Sequence, residues 1–401
     1  MKPLIALIAV LAWGAARAQS LIPSHESGKR AWFLNSGAAV LNPPEPNDHI
    51  TCSVDPIKPE LRLDFMFYTG YQASIPRKEL TGPGNRLTMV LRVRSERRED
   101  QPVIFVQEFL VPAIGEDVSG NAFIDGMFRV GQGKYHVDFL MRDIHGRTCT
   151  RVWDVEAKVN GKDVALAQGL AKDLIKPVES TTFHEDAPVE HQQIGRPLHV
   201  KVIINFAPQN LGAAALGSDD LEGLVAILRK ISREPRIGSF SIVACSVPAR
   251  QMLYRQRHAP RIDIPALGEA LKPLNLASMD VKQLALKNGE TEFLERLITE
   301  ETRGDHADGL IFVGPKYPLE TNVSREIIEH MRGLDHPVFY LSYGLDSSYY
   351  PWRDAIGHVV KELHGFEYDI SRPRDLFNAW SDIVSRMLSG TASTGGNNGG
   401  R

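Results

Sequence analysis

The hydrophobic period changes once along this chain, and that change constrains its fold more than any other feature. From Asp48 to about Val159 apolar residues recur at every second position: Leu61, Leu63, Phe65 and Phe67, then Leu87, Met89, Leu91 and Val93, then Tyr135, Val137, Phe139 and Met141. Successive strand side chains point to opposite faces, so each run reads as a half-buried strand. Turn formers separate the runs, among them Thr81-Gly82-Pro83-Gly84-Asn85, Gly131-Gln132-Gly133-Lys134 and Asp143-Ile144-His145-Gly146. Short strands at this spacing, without a helical pattern, predict a β-sandwich over residues 48–160.

After about residue 198 strands and helices alternate. The run Val200 to Ile204 precedes a helix capped by Ser218, whose Leu221, Leu224, Val225, Leu228 and Ile231 share one face; Asp219 and Asp220 suit its amino-terminal dipole. Further pairings follow through Phe240 to Cys245, Phe293 to Ile298, Gly309 to Val313, Val338 to Leu341 and Phe366 to Ile370, ending in a helix with Leu376, Trp380, Ile383, Val384 and Met387. This order predicts a doubly wound α/β domain over 198–389, its sheet mostly parallel and covered on both faces. Proline and polar punctuation between 169 and 197 reads as a linker, and the Gly/Asn-rich stretch 391–401 as a tail without structure. His184, Glu185, Asp186, Glu190 and His191 have metal-ligating chemistry, but a solvated linker offers nothing to orient them, and no metal or other cofactor is expected.

The amino terminus bounds the compartment. Lys2, the apolar run Leu4 to Trp13 and the small residues Ala16 and Ala18 match a secretory signal spanning residues 1–18, with the mature chain starting at Gln19. The apolar run is shorter than the roughly 20 residues that span a bilayer, so no membrane span is expected after cleavage, and the protein is expected to be secreted or periplasmic. The chain has 401 residues, 43% hydrophobic and 24% charged, with a net charge of −3; no basic block is long enough for a nucleic-acid partner. In an oxidising compartment its three cysteines allow one disulfide. Cys52 and Cys149 fall near the two ends of the β domain and are the expected pair; Cys245, inside an apolar run, is expected to be a buried thiol.

Two family resemblances add to this reading. Gly133-Lys134-Tyr135-His136-Val137 through Asp143 and Gly146 resembles the last hairpin of immunoglobulin-like domains in exported bacterial proteins, over about two strands. The order of elements from His199 to Leu388 resembles the von Willebrand factor A domain. Val202-Ile203-Ile204-Asn205-Phe206-Ala207, Asn288-Gly289-Glu290-Thr291 with Phe293-Leu294, and Val360 to Tyr368 with Arg374-Asp375-Leu376-Phe377 carry that likeness. Metal-binding members of that family use Asp-x-Ser-x-Ser, a Thr and a further Asp. Here those positions hold Asn205, Ala207 and Gln209, then Thr291, then Gly314, so only the threonine matches. Hard cations need anionic oxygen ligands, and a set without a carboxylate has lost most of its attraction for Mg²⁺ or Ca²⁺. The resemblance therefore implies a metal-free binding or assembly module.

The usual catalytic strings are absent from the sequence: no His-Glu-x-x-His, Gly-x-Ser-x-Gly, phosphate-binding loop or Gly-x-Gly-x-x-Gly occurs. In open α/β sheets ligands bind where loops leave the carboxyl ends of the strands. The loops there carry Asn205, Gln209, Thr291, Lys316, Tyr317, Tyr343, Asp346, Tyr349, Tyr350 and Trp352 as candidate binding residues. Aromatic side chains with polar tips anchor protein interfaces and stack on sugars, although the same rings can simply cover the end of the sheet. The expected function is an exported, non-enzymatic protein that binds a protein partner in the cell envelope or outside the cell. A glycan-binding module and a hydrolase with scattered residues stay open as alternatives.

Overall fold

The computed structural model describes residues 20–22, 49–168, 170–178, 182–186, 189, 196–210, 213, 215–272, 288–303, 306–319, 321–344 and 353–394. The fold is mixed α/β, with fifteen strands and six α-helices among these residues. None of the described helices is long and apolar enough to cross a membrane. The chain divides into two compact units, Met1–Glu60 with Met66–Ser180, and Leu61–Phe65 with Thr181–Arg401. Residues 1–18, expected to be a secretory signal, lie outside the described residues.

The first unit contains β1 (Ser20–Ile22), β2 (Ser53–Leu61), β3 (Phe67–Pro76), β4 (Asn85–Ser95), β5 (Arg98–Val111), β6 (Asn121–Val130), β7 (Gly133–Arg142), β8 (Thr148–Ala157) and β9 (Ile175–Pro177). They form two sheets, ordered β1-β5-β4-β7-β8 and β2-β3-β6-β9. Inward rings of the two sheets meet: Tyr71 of β3 lies 4.7 Å from Phe139 of β7, and Phe105 of β5 stacks at 5.6 Å on Phe128 of β6. All four rings are buried, each contributing about 1.5–3 kcal/mol by leaving water. The expected disulfide is present, joining Cys52 to Cys149 with Cα atoms 6.3 Å apart.

Two expectations need correction here. The alternating run Leu61 to Phe67 is not one strand: β2 ends at Leu61, Phe65 turns the chain with φ 61°, and Leu63 is buried in the core of the second unit. A period of two fixes which residues are apolar together, not which core takes them. The stretch expected to be a linker is also partly structured. Its β9 pairs antiparallel with β6, and Arg129 Nε donates to Pro177 O at 2.9 Å, because backbone polar groups beside a strand edge gain more from a ladder than from remaining open.

The turn after β7 is built on one carboxylate. Asp143 accepts from the backbone N–H of His145 and of Arg147 (both 2.9 Å) and from Arg147 Nε (2.8 Å), while Arg147 Nη1 reaches Glu79 at 3.1 Å. Burial alone would raise the pKa of Asp143, but the Arg147 bonds and charge outweigh it and hold the carboxyl below its ordinary value. A carboxylate depressed in the folded state contributes stability that is present above its unfolded pKa of about 3.9 and lost as pH falls through the folded value. Asp143→Asn should therefore cost about 2 kcal/mol at neutral pH and flatten the acid limb of the stability curve below about pH 4. Urea titrations of both proteins across that limb test this, and parallel curves would refute the assignment.

The second unit contains β10 (Leu198–Asn205), α1 (Ser218–Ser232), β11 (Ile237–Ser246), β12 (Gln251–Ala259), α2 (Ile264–Leu271), α3 (Gly289–Thr302), β13 (Gly309–Gly314), α4 (Arg325–Arg332), β14 (Val338–Tyr343), α5 (Ala355–Glu362), β15 (Phe366–Ile370) and α6 (Pro373–Thr394). Its sheet is ordered β12-β11-β10-β13-β14-β15, parallel throughout except for the antiparallel edge pair β11–β12. Strand residues divide by period two between the faces. Val200, Val202 and Ile204 pack with α1, α2 and α6, whereas Ile203, Val243 and Phe312 pack with α3, α4 and α5. Strand β12 had no alternating signature because, as an edge, its residues are mostly half-exposed or exposed on both sides. Helix α6 runs to Thr394, four residues into the stretch expected to lack structure.

Around the start of this unit the supposed metal cluster is used otherwise. Asp186 pairs with Arg229 (3.2 Å) and Arg233 (2.8 Å), Glu185 pairs with Arg261 (2.8 Å), and the carbonyl of His184 accepts from Arg229. Glu190 and His191 lie outside the described residues.

Candidate binding edge of the parallel sheet

Strand order in the sheet reverses at β10, which has β11 on one side and β13 on the other, both parallel to it, although a long stretch of chain separates β10 from β13. In open α/β sheets ligands bind at the carboxyl end of such a switch point. Asn205 ends β10 there, only 2% exposed. Its Oδ1 accepts from the backbone N–H of Val247 at 2.9 Å, and its Nδ2 is buried with no hydrogen-bond partner among the described residues. A buried donor left open costs about 1–3 kcal/mol. Gly314, at the end of β13, closes on the same residue: a Cβ there would stand 3.0 Å from Asn205 Cβ and 3.1 Å from its carbonyl oxygen. The crowding leaves little space for a larger side chain at Gly314.

Gln209 lies one loop further on and is tied to the start of α1. Its backbone N–H and Nε2 both reach Asp220 Oδ1 (3.3 and 2.9 Å), while Asp220 Oδ2 accepts from Gly217 N–H at 3.0 Å. The acidic residue thus caps the helix, where its charge also meets the positive end of the dipole. Tyr343, the last residue of β14, is 2% exposed and donates its hydroxyl to the carbonyl of Asp219 at 3.2 Å. Burial pushes its phenol up to about 12. Gly223 of α1 makes room for that ring.

Thr291, in the first turn of α3, is 4% exposed and donates to the carbonyl of Thr321 at 3.1 Å, and its oxygen lies 3.1 Å from the Thr321 hydroxyl. Both hydroxyls are committed to tying the loop after β13 to α3. Lys316 sits between Asp369 (3.0 Å) and Glu367 (3.6 Å) of β15. Tyr317 donates its hydroxyl to Glu290 at 3.2 Å; burial first, then that carboxylate, pushes its phenol up to about 12. Asp346, Tyr349, Tyr350 and Trp352 lie outside the described residues.

Sequence reasoning missed the residue that organises this loop. Asp354, 3% exposed, caps α5 through Gly357 N–H (2.9 Å) and also accepts from Tyr317 N–H (3.2 Å) and the Tyr340 hydroxyl (3.0 Å). Burial holds its carboxyl above the ordinary value against those three donors. An aspartate directly before an apolar helical pattern was the available signal. Arg250 was missed too: with φ 53° it turns β11 into β12, and its guanidinium lies where a Cβ on Gly289 would fall, 2.4 Å from Nη1. At this edge the carboxylates Asp220, Glu290 and Asp354 are all engaged in holding loops.

A serine–histidine grouping lies at the opposite end of the sheet. His199 Nδ1 is 2.7 Å from Ser239 Oγ and its Nε2 is 3.2 Å from Ser241 Oγ, with the ring stacked on His258 at 4.2 Å. Asp308 bonds the backbone N–H of His199 at 2.7 Å and not its ring, so this carboxylate does not orient the imidazole as a triad requires. Cys245 is buried, its Sγ 3.5 Å from the Ile204 carbonyl, and burial pushes its thiol up to about 12, far from a nucleophile. Among the described residues there is no cluster of three or more His, Cys, Asp or Glu arranged to hold a metal ion.

No family model matches the chain, and no curated protein matches it. Solved structures give remote likenesses only. A β-glucuronidase of Bacteroides uniformis is 11% identical over 74% of this chain and 37% of its own, with a TM-score of 0.19. A glycosyl hydrolase family 2 member from Bacteroides cellulosilyticus is 10% identical over 80% of this chain and 39% of its own, with a TM-score of 0.20. A structural-genomics target is 12% identical over 29% of this chain and 96% of its own, with a TM-score of 0.17. This chain thus spans well under half the length of the two hydrolases, and likenesses of this size carry no argument about its activity.

Proposed function

We propose that this is an exported, non-enzymatic protein that binds a protein partner through the carboxyl edge of a metal-free domain of the von Willebrand factor A kind. The observation that carries the reading is Asn205: where the family's metal-binding members have an aspartate, an amide spends its oxygen on Val247 and keeps a buried N–H donor unused. A donor offers nothing to a cation, so the position fits a metal-free edge. Counted within its unit, the strand order is 3-2-1-4-5-6, the doubly wound order that the resemblance implies, and this supports the family reading. The first unit fits an immunoglobulin-like β-sandwich acting as spacer or second contact. Tyr135 at the start of β7 supports this, since its hydroxyl donates back to Gly131 O at 2.8 Å, as in the tyrosine corner of such domains. The Cys52–Cys149 disulfide supports a secreted or periplasmic location.

Capture of partners from envelope extracts tests the function: a protein recovered with the native chain and lost on Tyr350→Ala supports it, and an exclusively glycan ligand refutes it. The metal-free character has its own test. A ligand at one hundred times its dissociation constant would stabilise the folded form by about 2.7 kcal/mol. The thermal midpoint is therefore expected to be the same in millimolar Mg²⁺ and in EDTA; a rise with metal that Thr291→Ala abolishes would revive a cation-dependent mechanism.

A further inference from the structure

Among the described residues strand β15 ends the sheet, and no strand lies beside its outer backbone N–H and C=O groups. A cleft of about 490 Å³ lies along it, lined by Arg353, Lys361 and His364 around α5, by Phe366, Glu367 and Tyr368 of β15, and by Asp382 of α6. Its charges are unbalanced. Glu367 is held by Arg353 (2.9 Å), Asp369 by Lys316 (3.0 Å), Glu362 by Arg332 (3.3 Å), and Asp382 by Arg386 (2.8 Å) and the Tyr368 hydroxyl (2.6 Å). Lys361 and His364 are exposed, and their side chains have no hydrogen-bond or ion-pair partner among the described residues. Each of these carboxylates thus has a cation, and the Lys361 ammonium is left over.

We propose that this edge takes an extended, acidic segment of another protein as a seventh strand. Ladder bonds to β15 would supply affinity and the cationic rim would supply selectivity, the division of labour usual when a peptide extends a sheet. The segment carries Asp or Glu where it passes Lys361, the exposed cation of the rim that no described carboxylate holds, and polar or apolar side chains where it passes Tyr368 and Asp382. This surface runs along the side of the sheet, so it stands or falls separately from the carboxyl edge.

Fluorescence anisotropy of the full chain with a labelled Glu-Thr-Val-Thr-Glu peptide, against Gln-Thr-Val-Thr-Gln, tests the proposal. Saturable binding of the acidic peptide is expected, weakened about tenfold or more by Lys361→Glu, a loss of about 1.4 kcal/mol. N-methylation of its sheet-facing amides should abolish binding. Lys361 is exposed, so the variant's unfolding midpoint should match the native one. Equal binding of the two peptides, indifference to Lys361→Glu or to N-methylation, or no saturation up to about 1 mM, the weak end of specific recognition, would overturn the proposal. So would a concentration-dependent dimer abolished by Lys361→Glu, which would mean that a second copy covers the edge.

Discussion

The double variant Cys52→Ser, Cys149→Ser is expected to lose about 3–5 kcal/mol of stability in the first unit. The bridge joins residues 97 apart in sequence, and closing a loop of that length removes much of the conformational freedom of the unfolded chain. The strands it ties are otherwise joined at that point by little. Ile50 N–H donates to Thr148 O at 3.1 Å and His49 bridges Thr148, but β2 and β8 belong to different sheets, so no ladder replaces the covalent link. Urea unfolding of the double variant and of the native chain in reductant should give the same lowered midpoint, with the second unit unaffected. A native midpoint indifferent to reductant would show that packing alone holds the unit.

Gly223→Ala should be the most damaging single-methyl change in the second unit, costing about 3 kcal/mol. A Cβ at that position would lie 2.1 Å from Cζ and Oη of Tyr343 and 2.6 Å from its Cε1, distances that no small adjustment accommodates. The helix cannot retreat easily, because Leu224, Val225, Ile227 and Leu228 around it are fully buried against the sheet. Alanine normally favours a helix over glycine by about 1 kcal/mol, so the sign of the effect separates collision from propensity. Truncating the ring in the background of Gly223→Ala, by Tyr343→Ala, should recover part of the loss. If Gly223→Ala instead stabilises the chain, the close packing of ring on helix is wrong. Tyr343 itself shows why an aromatic residue at a strand end is ambiguous in sequence: its ring fills space under α1 and its hydroxyl satisfies a helix carbonyl, an arrangement that needs the glycine opposite.

Local patterns were legible wherever one periodicity governed burial. Alternation in β4 and β7 placed Leu87, Met89, Leu91, Val137, Phe139 and Met141 in a core, and all six are buried. Helical spacing placed Leu224, Val225, Leu228 and Ile231 on one face of α1, and the polar start of that helix carried Asp220 to its cap. The near-continuous apolar runs of β10 and β13 marked strands covered on both sides, which the two clusters of buried residues bear out. The disulfide was legible because the spacing of three cysteines across a change of period left one pair inside the β region.

What the sequence by itself determined was thus the kind of element at each point, because apolar period, turn residues and helix caps act over a few neighbouring positions. Only the tertiary structure decided what those elements meet. It sent Leu63 to the core of the second unit although its neighbours alternate like a strand, gave β9 a partner in β6 out of a stretch punctuated like a linker, and made β12 an antiparallel edge. It also assigned Asp354 to three donors from three separate segments and left Asn205 Nδ2 with none. Apart from the Gly357 cap bond and the β11–β12 hairpin, these outcomes depend on distances between residues far apart in the chain, which pattern along the chain does not encode.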